Sequence, residues 1–255
     1  DFALTPVVLR AASGRLLPGA RAEARATDLV LENAQLALGI SLTFEDGQLT
    51  PTTRGKPLDL AAVGHVDQLD WMNLPYASVA RPAGPEAWQA RNVRNTAVDV
   101  VGAGVVRATG SASELAGVSV VTTYALLAGD DFVRVASVFT NGASEARTFW
   151  TGDAIDHDGT GQRSGVAGHG TIATPYAEQA FYPPSKPWIG MTGTDGQTYG
   201  LIYAQGGFTA YGNGNWIMSQ RQVTLAPGES FSLVRDIVAV TNGSGDPWAV
   251  LDARV

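Results

Sequence analysis

The sequence predicts an all-β protein built as a single domain over residues 1–255. Three observations carry this. Apolar and polar residues alternate in short runs along much of the chain, the mark of half-buried strands. Thirty Gly and thirteen Pro among 255 residues supply frequent turns. No long stretch keeps apolar residues at the i, i+3, i+4, i+7 spacing of an amphipathic helix, so helices should be few and short. SELAG (113–117) and PEAWQA (85–90) are the segments that could form a single helical turn.

Taken in order, DLVLENAQLALGISLTF (28–44) alternates in short runs with Gly39 as a break, and EDGQ (45–48) follows as a hairpin-type turn. TAVDVVGAGVVRATGSAS (96–113) repeats the alternation. VSVVTTYALLAGDDFVRVASVFTNG (118–142) is the clearest hairpin, two β-branched and aromatic runs around the turn AGDD. Its second run puts Phe132, Arg134, Ala136 and Val138 on one face and Val133, Val135, Ser137 and Phe139 on the other. QTYGLIYAQGGFTAYGNGNW (197–216) reads strand, Gly-Gly turn, strand, and RQVTLAPGESFSLVRDIVAVTNG (221–243) reads strand, Pro-Gly turn, strand. Two segments, 50–89 and 152–187, lack strand patterning and are expected as long loops. Loops of that length in a compact domain are uncommon and often functional, so their convergence would line the main pocket.

Composition bounds the function. Hydrophobic residues make up 45% and charged residues 16%, an ordinary globular balance that excludes disorder and fibres. The net charge is −7 and no Lys/Arg cluster exists, so a nucleic-acid backbone would be repelled and no nucleic-acid partner is expected. There is no Cys, hence no disulfide, no Cys–Zn site and no thiol chemistry. No run of about 18 apolar residues marks a transmembrane helix. Asp1 stands where a Met would begin a newly made chain, and Ala, Gly and Arg are favoured over Lys. The expectation is an exported bacterial protein, secreted, periplasmic or on the cell surface.

The order of elements resembles the β-supersandwich domains related to galactose mutarotase. TTYALLAGDDFVRVASVFTNG resembles a hairpin of that group, in which a strand of the form Y-x-L-x-x-G-D turns into one ending in T-N. WIGMTGTDGQTYGLIYA and VTLAPGESFSLVRDIVAV are similar to later strands, and together these cover about half the chain. The resemblance implies two large, mostly antiparallel sheets and carbohydrate as the ligand class. Members include aldose epimerases, domains of polysaccharide lyases and accessory domains of glycoside-active enzymes. Mutarotases use a His acid and a late Glu base. Here the late Glu residues are Glu178 and Glu229, but the family's pattern around its base and its His-rich strand motif are absent.

GDAIDHDGTGQRSGVAGHG (152–170) gathers three Asp, two of the three His, Arg163 and six Gly. Asp156-His157-Asp158-Gly159 begins like a calcium loop, and Asp153, Asp156 and Asp158 form a candidate Ca²⁺ set, since calcium takes several hard oxygen ligands. Ala167 at the twelfth position excludes an EF-hand. Imidazole plus carboxylate, from His157 and His169 with these Asp and His65 as a third, also suits a transition metal. A metal-free acid–base site would use His157, His169, Asp153 and His65. Arg163 would hold a carboxylate or phosphate. The remaining alternative is an Asp/Gly-rich turn whose carboxylates bond backbone N–H groups. The sequence contains no G-x-S-x-G, P-loop or H-E-x-x-H.

Aromatic residues concentrate in or beside the two long segments, where flat sugar faces would stack while Asp, Asn, Gln and Arg take hydroxyls. Asp67, Asp70, Trp71, Trp88, Arg163, Tyr176, Tyr182 and Trp188 are the candidate ligand-binding residues, against the alternative that the Trp rings are core. The expected function is carbohydrate recognition by a noncatalytic or accessory domain. A glycan-processing enzyme and a cell-envelope assembly domain are the alternatives.

Overall fold

The computed structural model describes residues 7–10, 17–19, 22–43, 54–84, 87, 93–157, 161–242 and 245–255, and for residues 7–10 and Trp71 the backbone alone. The chain first builds a four-stranded antiparallel sheet from β1 (Val7–Arg10), β2 (Leu29–Glu32), β3 (Leu36–Ile40) and β4 (Pro57–Ala62). β5 (Trp71–Ser78) opens a second sheet. β6 (Val93–Gly102), β7 (Val105–Ala112), β8 (Val118–Ala125) and β9 (Val133–Asn141) then begin a third as successive hairpins. From there the chain alternates between sheets. β10 (Arg147–Asp156) joins the second, β11 (Arg163–Val166) and β12 (Gly170–Thr171) the third, β13 (Ala180–Tyr182) the second, and β14 (Trp188–Thr192) and β15 (Gln197–Tyr203) the third. β16 (Thr209–Gly212) and β17 (Trp216–Leu225) return to the second and β18 (Ser230–Thr241) to the third. The result is a five-stranded sheet ordered β13-β16-β17-β10-β5 and a nine-stranded sheet ordered β12-β11-β14-β15-β18-β9-β8-β7-β6. The fold class is the expected one, a two-sheet antiparallel supersandwich, with a small third sheet added.

Alternation settles which face is inside. On β9, Val133, Val135, Ser137 and Phe139 are buried, as the sequence predicts, and β8 matches with Val118, Val120, Thr122 and Tyr124. Both smaller sheets lie against this inner face. Phe139 packs on Phe149 of β10 with ring centroids 5.5 Å apart, and the Tyr124 hydroxyl reaches the Gly55 carbonyl at 3.0 Å. One apolar cluster therefore runs through all three sheets, from Leu38 and Leu60 through Val120 and Leu201 to Phe149 and Ile217.

The two segments expected as long loops are corrected. Segment 50–89 contains β4 and β5, and segment 152–187 contains the end of β10 and all of β11, β12 and β13. β4, β5 and the end of β10 are hidden because they are covered on both faces, while β12 and β13, two and three residues long, are too short to show a period. Five consecutive residues of β4 and the last six of β10 are buried, including Asp59, Thr151, Asp153 and Asp156. A strand covered on both faces does not alternate. The two reads across 197–216 and 221–243 are strands, but each Gly-Gly or Pro-Gly turn carries the chain between sheets rather than closing a hairpin. SELAG forms a hydrogen-bonded turn, with the Leu115 N–H on the Ala112 carbonyl at 3.1 Å. EDGQ, and PEAWQA apart from Ala87, lie outside the described residues.

The helix α1 (Ala249–Asp252) is unexpected from sequence. Four residues cannot hold a helix by themselves. It survives because Trp248 and Leu251 press onto the outer face of the nine-stranded sheet, over Gly165, Gly190 and Gly200. These glycines are paired across β11, β14 and β15, so they form one row. A Cβ at Gly165 would strike the Trp248 ring, and one at Gly190 would lie 2.7 Å from Leu251 Cδ1. Trp188 stacks on Trp248 at 5.7 Å, and burying Leu251 adds about 1.5–3 kcal/mol.

Candidate functional site

The two segments singled out from sequence do meet, but as neighbouring strands. Trp71 pairs with Asp156, Met72 with Ile155 and Asn73 with Ala154. Beyond the strand ends, Gln162 Nε2 donates to the Gln68 carbonyl at 2.9 Å, and Gln68 Oε1 accepts the Thr194 N–H at 2.6 Å. The turn from β4 to β5 is capped by Asp67, whose Oδ1 accepts the Leu60 and Leu69 N–H groups at 2.9 and 3.4 Å. Burial pushes the Asp67 carboxyl up to about 8, and the nearby Asp59 charge adds to the rise. Asp67 therefore organises the turn from inside. Asp70 is half-buried beside it, its N–H on the Asp156 carbonyl at 3.1 Å.

His65 stands at the same end. Its Nδ1–H donates to Asp195 Oδ2 at 3.2 Å, and the Thr241 hydroxyl donates to its Nε2 at 3.1 Å. It forms part of the wall of a pocket of about 390 Å³ that Leu17, Ala61, Val63 and Glu32 also line.

The Asp/His loop divides. Asp153 is not a ligand or a catalyst but half of an interior ion pair. Its Oδ1 accepts from Arg235 Nη2 at 2.7 Å, and both side chains are fully buried. Arg235 Nη1 also donates to Ser137 Oγ at 2.7 Å and to the Leu233 carbonyl at 3.0 Å. Burial pushes the Asp153 carboxyl up while Arg235 pulls it down. Asp153 Oδ1 is thus committed to Arg235, deep in the interior. Asp158 lies outside the described residues, and among these no group of three or more His, Asp or Glu is arranged to hold a metal. His157 is buried, its Nε2–H on the Gly214 carbonyl at 3.1 Å, so it faces no open pocket. His169 is exposed, with Nε2 on the Pro183 carbonyl at 3.0 Å and its ring edge-on to Tyr182. Arg163 points outward and donates to the Gln162 carbonyl at 2.6 Å. Glu229 closes its own turn on the Ala226 N–H, and Glu178 is exposed in a turn.

Trp188 is a core residue, 1% exposed, and is withdrawn as a ligand contact. The Trp71 side chain and Trp88 lie outside what is described. Tyr176 is half-exposed, and Tyr182 shares a hydrogen bond with Thr174 at 2.6 Å. A candidate surface lies elsewhere, on the five-stranded sheet. Phe149 points to the large sheet, so Trp150 points away, and register places Gln222, Gln220 and Met218 of β17, then Tyr211 and Phe181, on that same outer face. The segment after β5 crosses this face. The Gly84 N–H donates to the Tyr211 hydroxyl at 2.8 Å, and Gln220 Nε2 donates to the Pro82 carbonyl at 2.6 Å. The crossing brings Arg81 against two rings, 4.8 Å from the Trp150 centroid and 4.0 Å from that of Phe181. Phe181 stays 46% exposed and packs on Tyr211 at 4.5 Å. Sequence reasoning singled out neither Arg81 nor Tyr211. The available signal was an Arg three residues after a strand, which by itself is common.

No protein-family model and no curated protein matches the chain. Solved structures do. A galactose mutarotase-like protein from Lactobacillus casei superposes with a TM-score of 0.54 at 9% identity, covering 84% of this chain and 100% of that one. A putative aldose 1-epimerase from Escherichia coli K12 gives 0.53 at 11% identity over 84% and 99%. A TPR-domain containing protein from Parabacteroides distasonis gives 0.55 at 14% identity over 87% of this chain. The chain spans about half the length of that protein, 48%. The architecture is thus galactose mutarotase-like, a likeness of fold.

Proposed function

We propose that this chain is a carbohydrate-recognising domain of an exported bacterial protein, noncatalytic in itself, and that it binds sugar on the outer face of the five-stranded sheet. The observation that carries the reading is the Arg81–Phe181–Tyr211 stack with Trp150 behind it, an aromatic surface held rigid by Gln220 and left open to solvent at Phe181. Aromatic faces present large rigid area at low entropic cost and suit the C–H face of a pyranose. The side chains available for acid–base work favour binding over turnover. Asp153 is neutralised by Arg235, His157 is buried, and both ring nitrogens of His65 are engaged. The test is a glycan array followed by titration of the best ligand into Phe181→Ala and Trp150→Ala. Each is expected to weaken binding about tenfold, the size of one stacking contact. An array without hits, or hits indifferent to both changes, removes the reading.

A second reading, a glycan-processing enzyme, is favoured by one observation, His65 on the wall of a 390 Å³ pocket with Asp195 paired to its ring. Turnover of any array ligand that disappears in His65→Ala and persists in Phe181→Ala would move the function there.

A further inference from the structure

We propose that the ligand of this face is an acidic saccharide, whose carboxylate or sulfate is gripped by Arg81; the inference rests on the carbohydrate reading above. Arg134, Arg147, Arg235 and Arg254 each lie within ion-pairing distance of a carboxylate. Arg81 has no such partner among the described residues. It is nonetheless the arginine fixed between two rings. Its Nε–H donates to Gln220 Oε1 at 2.8 Å, and Gln220 is 1% exposed and anchored in turn to the Pro82 carbonyl. With Nε tied down and the guanidinium held against Trp150 and Phe181, the two Nη groups form a preset fork whose charge no carboxylate among the described residues answers. Such a fork matches the two oxygens of a carboxylate or sulfate bidentately, and its orientation costs little entropy because the protein has already set it. Ring surfaces on either side lower the local dielectric and strengthen the pair. Phe181, adjacent and 46% exposed, gives the sugar body a surface to lie on. A chain of net charge −7 offers an anion no long-range attraction, so the contact must be local, and salt should weaken it over Debye-length distances only.

The experiment is calorimetric titration of four matched probes: an oligogalacturonate, its methyl ester, a neutral galacto-oligosaccharide and a sulfated galacto-oligosaccharide. An acidic probe should bind about 10- to 100-fold more tightly than the methyl ester or neutral sugar, the value of a charge-assisted contact. Preference between the oligogalacturonate and the sulfated probe identifies the anion. In Arg81→Gln the preference should vanish, and in Arg81→Lys, which keeps the charge without the fork, it should survive in part. Neutral and acidic probes binding alike, or a preference unchanged in Arg81→Gln, would overturn the proposal and leave the carbohydrate reading standing. Binding of none of the four, together with an empty glycan array, would sink both.

Discussion

Two arginines, Arg235 and Arg81, show how one side chain serves two ends in the same sandwich. Arg235 sits on β18 between the sheets, fully buried, with Asp153, Ser137 and the Leu233 carbonyl around its guanidinium. Arg81 lies on the outer face of the five-stranded sheet, steadied by Gln220 and two rings. Burial forces the first to neutralise its charge within the protein, since an unpaired ion in the interior costs several kcal/mol. Exposure lets the second keep its charge for a partner that comes from outside. Interior charge therefore belongs to the fold, and exterior, prepositioned charge stays available to a partner.

The most severe way to break this comparison is Asp153→Ala. It strands the Arg235 charge, and chemical denaturation should show a loss of about 3–5 kcal/mol. The double change Asp153→Leu with Arg235→Met should recover most of it, because two well-packed apolar residues can replace a buried pair. A loss below about 1 kcal/mol in the single variant would mean that water reaches the pair. Gly190→Ala comes next, forcing a Cβ 2.7 Å from Leu251; overpacking of that kind costs about 1–3 kcal/mol, read from the same denaturation curves.

Asp67 sharpens the contrast with Asp153, being a buried carboxyl with no cation beside it. Its folded pKa of about 8 lies above the unfolded value of about 3.9, so the native state keeps a proton that the unfolded chain has lost. Its contribution is fully present below about pH 4 and is lost as pH rises through 8. Asp67→Asn, which keeps the Oδ1 acceptor for Leu60 and Leu69, should flatten that slope when stability is measured across the range. A slope identical to the parent's would reassign the proton. The smallest effect should come from Arg81→Ala, about 1 kcal/mol of stability because Gln220 Oε1 loses its donor, while saccharide binding falls away. A large loss of stability instead would make Arg81 a second Arg235.

The strands that the sequence displays plainly are those with one wet face. On β8 and β9, Val120, Tyr124, Val135 and Phe139 alternate with exposed or half-exposed neighbours, and period two is visible. β4, β5 and the end of β10 are buried on both sides, so Asp59, Asn73 and Asp153 interrupt the apolar run and imitate a loop. The same burial turned Asp153 and His157 from candidate catalysts into structural groups. The proposed face was not legible as one surface, for a different reason. Trp150, Phe181, Tyr211 and Arg81 come from four separate stretches and meet only through strand register and one crossing segment. Tyr182, which the sequence did offer, follows Phe181 on β13 and so turns to the other side of that sheet.

The glycine row beneath α1 couples distant parts of the sequence. Gly165 and Gly200 lack a side chain because Trp248 and Leu251 fill that space from the far end of the chain, whereas at Gly190 the Tyr199 carbonyl of the next strand also stands in the way. A methyl group at Gly165 or Gly200 is admissible only alongside a smaller residue at 248 or 251. These four positions therefore vary together, and homologous chains that have lost the tryptophan are where alanine or serine should appear at 165.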